Sequence, residues 1–267
     1  MRPLRRLMDL SDRKALVTGG AGHIGLAIGD TLAELGATIG ILDLDPRACH
    51  QRAQALGKWR KGRGLAFPCD LRDETATRST IKDAISAMGG LDILVHCAAY
   101  VGTTHMPGWD APFDQQTVAA WDAAMRVNLT CVMVMVQEAR TALSASGHGS
   151  VILLSSIYGM VAPDLRLYDR TAMTHAAAYD ASKGGLLQLT RYLSTVLAPR
   201  VRVNAISPGG LWRSQPQPFH QAYVSRTPLG RMATEEDMKG AIAYLASDLS
   251  AYVTGHNLVV DGGWTVW

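Results

Sequence analysis

Short apolar runs alternate with segments of helical periodicity along the whole chain. Residues 14–18 (KALVT), 38–42, 64–69, 93–97, 151–154, 201–206 and 258–260 have the length and β-branched content of strands buried on both faces. Between them, helices are expected at 24–35, stopped by Gly36, and from Pro46, with Asp45 as N-cap and Gly57 as the stop. Further helices are expected at 74–88, ended by Gly89-Gly90, at 118–143, and at 178–197, before Pro199. Thr234 and Asp237 have the spacing of a capping box ahead of one more helix. Strand and helix in strict alternation imply a single doubly wound parallel sheet, a Rossmann fold, with helices on both faces. No linker, repeat or low-complexity tract divides the chain. Residues 14–267 therefore read as one domain behind a lead-in of residues 1–13. In such sheets ligands bind beyond the C-terminal strand ends, where the connectivity reverses.

Composition narrows the partners. With 267 residues and 48% hydrophobic content the chain can bury a substantial core. A net charge of +3, with basic clusters only at "RPLRR" and at Lys58–Arg63 (KWRKGR), reads as solvated surface rather than a nucleic-acid footprint. The four cysteines are far apart and read as reduced thiols, and the eight histidines lack metal-ligand spacing, so no metal is expected. No uninterrupted apolar run approaches the ~20 residues of a membrane span. The basic N-terminus lacks an apolar signal core, so the expected location is cytoplasmic, without a membrane partner.

"VTGGAGHIG", Val17–Gly25, lies between the first strand and the first long helix, and its Gly20, Gly22 and Gly25 match G-x-G-x-x-G. Glycines there let the backbone approach a pyrophosphate, and the helix N-terminus offers N–H groups and a positive dipole end. Asp43 ends the second strand 18 residues after Gly25. A carboxylate there can accept from both hydroxyls of an adenine ribose and would repel a 2′-phosphate, which favours NAD over NADP. Asp70, ending the third strand, reads as a residue near the adenine ring, with a turn aspartate as the alternative. His23, at the helix start, could hydrogen-bond the diphosphate or point to solvent.

"YDASK" puts Tyr179 and Lys183 four residues apart on one helix face. A nearby ammonium and an oxidised nicotinamide would both lower the pKa of the phenol, so that Tyr179 could exchange a proton with an alcohol or carbonyl. "LLSSIYG" places Ser155 and Ser156 at a strand end, where a hydroxyl can bond the reacting oxygen.

These stretches, with "CD" at Cys69-Asp70, "LDILVHCAA", "VNLT", "VRVNAISPGG" and "VTGHNLVVDGG", resemble the short-chain dehydrogenase/reductase family over nearly the whole chain. The resemblance implies an NAD-dependent enzyme interconverting a secondary alcohol and a ketone, with Ser156, Tyr179, Lys183 and Asn128 as catalytic residues. Asn128 would break its helix locally and hold a water in a proton relay through Lys183. Cofactor contacts would come from Gly19, Gly22, His23, Ile24, Gly25, Asp43, Asp70, Leu71, Cys97, Ala98, Ala99, Tyr179, Lys183, Pro208, Gly209 and Leu211. The family also implies a homotetramer, with "CVMVMV" at Cys131–Val136 and the C-terminal "NLVVDGGWTVW" as interface or core.

Four departures stand out. His96-Cys97-Ala98-Ala99 replaces the usual Asn-Asn-Ala-Gly, so His96 must take over from a structural asparagine or act catalytically. Ser156 and Tyr179 are 23 residues apart, which adds a wall over the active site. Arg213 stands near the place of a usual threonine. The glycine spacing also fits the extended, sugar-nucleotide branch, whereas length, "NAISPG" and "DGGW" fit the compact one. Segments around "SSIYGMVAPDLRLYD" and "SPGGLWRSQPQPF" resemble flagellin modification protein A-like oxidoreductases. A polar small molecule, a sugar or nucleotide-linked sugar, is the expected substrate, with Arg166, Arg170 and Arg213 near the pocket mouth. A general reductase of 3-oxoacyl, steroid or small keto substrates, or a non-catalytic NAD-binding regulator, are the competing readings.

Overall fold

A computed structural model describes residues 1–59, 63–101 and 104–267; the centre of the Lys58–Arg63 basic cluster lies outside the described residues. Among these, β1 (Lys14–Thr18), β2 (Thr38–Asp43), β3 (Arg63–Pro68), β4 (Ile93–His96), β5 (Gly149–Leu154), β6 (Val201–Pro208) and β7 (Asn257–Val260) form one parallel sheet. Its order is β3-β2-β1-β4-β5-β6-β7, so the connectivity reverses between β1 and β4. Every residue of β4 and β5 is buried, as expected of strands covered on both faces.

The helices are α1 (Leu4–Met8), α2 (His23–Glu34), α3 (Pro46–Leu56), α4 (Glu74–Met88), α5 (Val118–Met125), α6 (Cys131–Ala145), α7 (Ala177–Val196), α8 (Gln217–Val224) and α9 (Lys239–Ala246). Side chains alternate across the pleat and make a core on each face. Leu16, Leu94, Val151 and Val203 pack with Ile81 of α4, Met135 of α6 and Leu186 of α7. Val17, Ile41, Val95 and Ile152 pack with Ile28 of α2 and Ile242 of α9 on the other side.

Local signals act where the sequence puts them. The Asp45 carboxylate accepts from the Arg47 and Ala48 amides, Gly89 takes a left-handed φ of 71°, and the Thr234–Asp237 capping box forms. The box opens a 3₁₀ turn, Glu235–Met238, that leads into α9.

Three features refine the sequence reading. The helix expected at 118–143 is interrupted by a π turn, Arg126–Thr130, between α5 and α6, at Asn128, where the family resemblance implied a local break. Residues 118–145 as a whole are long and apolar enough to cross a membrane by length and composition. Their Cys131, Val132, Val134, Met135 and Val136 are nevertheless buried in the core, which settles "CVMVMV" as core, with Met133 alone of the six exposed. The lead-in is tied down: Leu10 is fully buried, and Arg2 and Arg13 bond Asp248 at 2.6 and 3.2 Å. Helix α8 was not expected; Pro218 in its first turn and the buried i, i+4 pair Phe219 and Tyr223 are its signals.

Candidate active site

The glycine loop closes on the reversal point. Gly19 has a φ of +64°, and a Cβ there would come within 2.7 Å of the Ala98 amide; a Cβ on Gly25 would overlap the Gly19 carbonyl. Gly22 is the N-cap of α2 and has no side chain to occupy the first-turn N–H groups of His23, Ile24 and Gly25. The Asp43 carboxylate accepts from the Ala21 amide at 3.0 Å and the Leu44 amide at 2.8 Å, which fixes it against the loop. Thr18 Oγ1 accepts from the Cys97 and Ala98 amides at 3.2 and 3.3 Å and lashes the segment after β4 to the end of β1. Half-buried Ala99 continues this segment. A cradle that excludes a Cβ, an uncapped helix N-terminus and a carboxylate beside it fit a dinucleotide.

Other cofactor candidates are placed more exactly by the structure. Asp70 is held by its own turn: Arg72 Nη2 lies 2.6 Å from Oδ2 and the Arg72 amide 2.9 Å from Oδ1, and the hydrogen bonds to Arg72 lower its pKa. The Leu71 side chain is buried in the core. Gly209 donates to the Val260 carbonyl at 2.9 Å, and Leu211 pairs with Ala233, which pins the loop after Pro208. His23 points outward, with its side chain 74% exposed and Nδ1 3.9 Å from Glu235. Glu235 is bound more tightly by Arg213, at 2.6 Å.

The catalytic candidates converge at the ends of β4 and β5. Lys183 is buried, donates from Nζ to the Leu154 carbonyl at 2.7 Å and lies 5.4 Å from the centre of the Tyr179 ring. Burial brings its pKa down to about 8. Ser156, two residues beyond β5 and the N-cap of the 3₁₀ turn Ile157–Gly159, accepts from the Tyr158 amide at 3.2 Å and hydrogen-bonds Tyr179. The Tyr179 phenol is not lowered as its sequence context suggested: burial raises its pKa and the bond to Ser156 only opposes the rise. The lowering expected from a positive nicotinamide acts only when the cofactor is bound. Ser155 donates to the Lys183 carbonyl at 2.8 Å and locks α7 onto β5.

Asn128 lies fully buried in the π turn. Its Nδ2 donates to Ser182 Oγ at 3.0 Å, Ser182 donates to the Tyr179 carbonyl at 2.7 Å, and Oδ1 accepts from the Tyr100 amide at 2.7 Å. Asn128 thus ties the catalytic helix to the segment beside the glycine loop. His96 is also buried, with Nδ1 2.9 Å from Thr18 Oγ1 and Nε2 3.3 Å from the Asn128 carbonyl. Both nitrogens are partnered, so the packing alternative holds for it.

The extra segment between Ser156 and Tyr179 contributes Tyr158, Tyr168 and His175 to a cluster of rings completed by Phe219 and Tyr223 of α8 and by Trp264. Tyr158, Tyr168, His175, Phe219, Tyr223 and Trp264 make a continuous chain of edge and stacked contacts, and His175 reaches the Tyr179 ring at 6.2 Å. Two of the three arginines expected at the pocket mouth are engaged by carboxylates, and for the third, Arg170, no ion pair is found among the described residues. Arg166 and Arg226 both pair with Asp164, and Arg213 pairs with Glu235. Sequence reading missed the pair His175–Asp180, although Asp180 lies inside "YDASK", in the first turn of α7.

Residues 19–265 match the family described as enoyl-(acyl carrier protein) reductase. The chain is 34% identical over 260 residues to cis-4-hydroxycyclohexanecarboxylate dehydrogenase of Sinomonas cyclohexanicum, covering 96% of this chain and 97% of that one. A short-chain type dehydrogenase/reductase from Mycobacterium marinum superposes with a TM-score of 0.85 at 28% identity, covering 99% of both chains. NADPH-dependent 3-quinuclidinone reductase from Rhodotorula rubra superposes at 0.86 and 25% identity, covering 100% of this chain and 97% of that one. The fold and site define a nicotinamide-dependent oxidoreductase acting on the CH–OH groups of small molecules. The chain belongs to the short-chain dehydrogenase/reductase family.

Proposed function

We propose that the protein interconverts a secondary alcohol on a compact, non-phosphorylated ring with the corresponding ketone, using NAD(H). The observation that carries the reading is the cluster of rings that reaches Tyr179 through His175, together with Arg166 and Arg213 held by Asp164 and Glu235. Flat aromatic faces suit the apolar face of a ring, whether carbocycle or sugar. The relative that acts on cis-4-hydroxycyclohexanecarboxylate supports a cyclic alcohol. A nucleotide-linked sugar has less support than the sequence alone suggested. Asp43 against the glycine loop supports NAD, although one structural neighbour is NADPH-dependent.

Gly19, Gly22, His23, Ile24 and Gly25 would hold the pyrophosphate and Asp43 the adenine ribose, with Cys97–Ala99, Pro208, Gly209 and Leu211 along the nicotinamide half. When bound there, the cofactor would supply the hydride chemistry at the carbinol carbon. The chain's own residues handle the proton. In oxidation the Tyr179 phenolate accepts the alcohol proton, and in reduction the phenol returns it to the carbonyl oxygen. Ser156 donates to that oxygen, and the Lys183 ammonium, anchored on the Leu154 carbonyl, favours the phenolate. Nicotinamide absorbance followed with NAD and NADP against cyclohexanol, unphosphorylated sugars, sugar nucleotides and open-chain keto acids tests the reading. Turnover confined to sugar nucleotides or open-chain substrates overturns it.

A further inference from the structure

The proton transfer above uses one charged neighbour of Tyr179, Lys183. A second, Asp180, is the next residue of α7. Its Oδ1 lies 2.6 Å from His175 Nε2, and the His175 ring stands edge-on to the Tyr179 ring, with centres 6.2 Å apart. His175 is held from other sides too. Its Nδ1 lies 3.0 Å from the Tyr168 hydroxyl, and its carbonyl accepts from Gln116 Nε2 at 2.9 Å. The His175 and Asp180 side chains are only 11% and 23% exposed, so water screens their charge incompletely.

The bond directions fix the charge of the pair. The Tyr158 hydroxyl lies against the Tyr168 oxygen as its donor, which leaves the Tyr168 proton free to go to His175 Nδ1. A carboxylate can only accept, so Nε2 carries the ring proton. Each of these donors then has an acceptor, the imidazole is neutral, and the pair holds one net negative charge on Asp180. A protonated imidazole would leave the Tyr168 hydroxyl without an acceptor, which buried hydroxyls avoid.

Among the described residues, the other groups facing Tyr179 are uncharged. Burial pushes the Cys97 thiol, after β4, up to about 12, and it likewise holds Tyr158 and Tyr168 in the phenol form. Ser156 offers a hydroxyl, and the cluster of Trp109 with Ala120 and Ala124 of α5 brings no charge. The balance on the phenol is therefore between Lys183, 5.4 Å from the ring centre, and Asp180, which favours the protonated form.

Resting on the role given to Tyr179, we propose that the His175–Asp180 pair is a positioning element for the reaction: the imidazole holds the Tyr179 ring where it meets Ser156, and the carboxylate opposes Lys183 over the charge of the phenol. The pair keeps Tyr179 protonated to higher pH than Lys183 alone would allow. Alcohol oxidation, which needs the phenolate, therefore begins at higher pH than it would without the carboxylate.

Two measurements on Asp180→Asn test this. The acid limb of alcohol oxidation with NAD should move to lower pH by about half a unit to one unit, so the rate at a fixed pH on that limb rises roughly threefold to tenfold. The phenol itself can be titrated without substrate by near-ultraviolet absorbance, taken as the difference from the same protein carrying Tyr179→Phe. It should shift in the same direction by a similar amount. Asp180→Glu keeps the charge and should return both readouts toward the wild type. His175→Leu lets the carboxylate turn to water and should give a smaller shift of the same sign; it carries the test if Asp180→Asn does not fold. A merely structural role lowers the rate equally at every pH and leaves the titration unmoved, which overturns the inference, as does a shift to higher pH. A moved titration without turnover of any secondary alcohol supports the inference and overturns the proposed function instead.

Discussion

His96 Nε2 lies 3.3 Å from the carbonyl oxygen of Asn128, and the opposite ring nitrogen lies 2.9 Å from Thr18 Oγ1. One side chain thereby joins β4, the end of β1 and the π turn that carries Asn128. A carbonyl can only accept, so Nε2 carries the proton, and the ring is neutral with Nδ1 accepting from Thr18. Burial, followed by the charge of Lys183, brings the His96 pKa down to about 3 from 6.5.

The sign for stability follows. Between these values the unfolded chain binds a proton that the folded chain refuses, so stability is retained above pH 6.5 and lost as pH falls toward 3. His96→Asn removes this contribution and flattens the pH dependence of unfolding by about 1.4 kcal/mol per pH unit within the window. Urea denaturation at several pH values across it checks the slope. An unchanged slope in the variant would show that His96 titrates normally.

Tyr179→Phe keeps the ring contact with His175 and removes the phenol bonded to Ser156. Turnover should drop by roughly 10²–10⁴-fold, the range of general acid–base catalysis. NADH affinity, read by fluorescence titration, should stay within a few-fold. Retained biological function in this variant would support the regulator reading instead.

Lys183, with its pKa near 8, loses its charge as pH rises through that value. In the reduction direction Tyr179 must also hold its proton, so both groups favour the acid side. The rate of ketone reduction should therefore decline above about pH 8. Lys183→Arg retains the charge at every accessible pH and should move the descending limb upward at lower absolute rate. Steady-state rates across pH 6–10, an interval of about four units around the ordinary lysine and histidine values, resolve the limb.

Asp43 faces the glycine loop through the Ala21 amide. A 2′-phosphate beside it would meet like-charge repulsion of up to about 4 kcal/mol for unit charges ~4 Å apart near a protein surface. Asp43→Ser should raise the ratio of kcat/KM for NADP over NAD by roughly tenfold to a hundredfold, with part of the change arising from weaker use of NAD. A ratio that does not move would place the ribose selector elsewhere.

Much of the site could be read along the chain because its signals are local. A glycine loop needs backbone freedom within nine residues, and "YDASK" fixes a helix face through a spacing of four. The pairing of Arg213 could not be read this way, because Glu235 takes it across a loop. Which charges meet depends on how loops fold over one another, and no periodicity encodes that.

By itself the sequence determined the alternation of strand and helix, the caps and stops, and the residue types able to move a hydride's companion proton. Those follow from apolar periodicity, backbone freedom and side-chain chemistry within a few residues. Only the tertiary structure decided that His96 bridges Thr18 to Asn128, that Ser155 and Ser156 divide between helix locking and the phenol, and that Asp180 and His175 align the wall. Those depend on distances between strand ends and helices far apart in the chain, where burial makes each polar group find a partner.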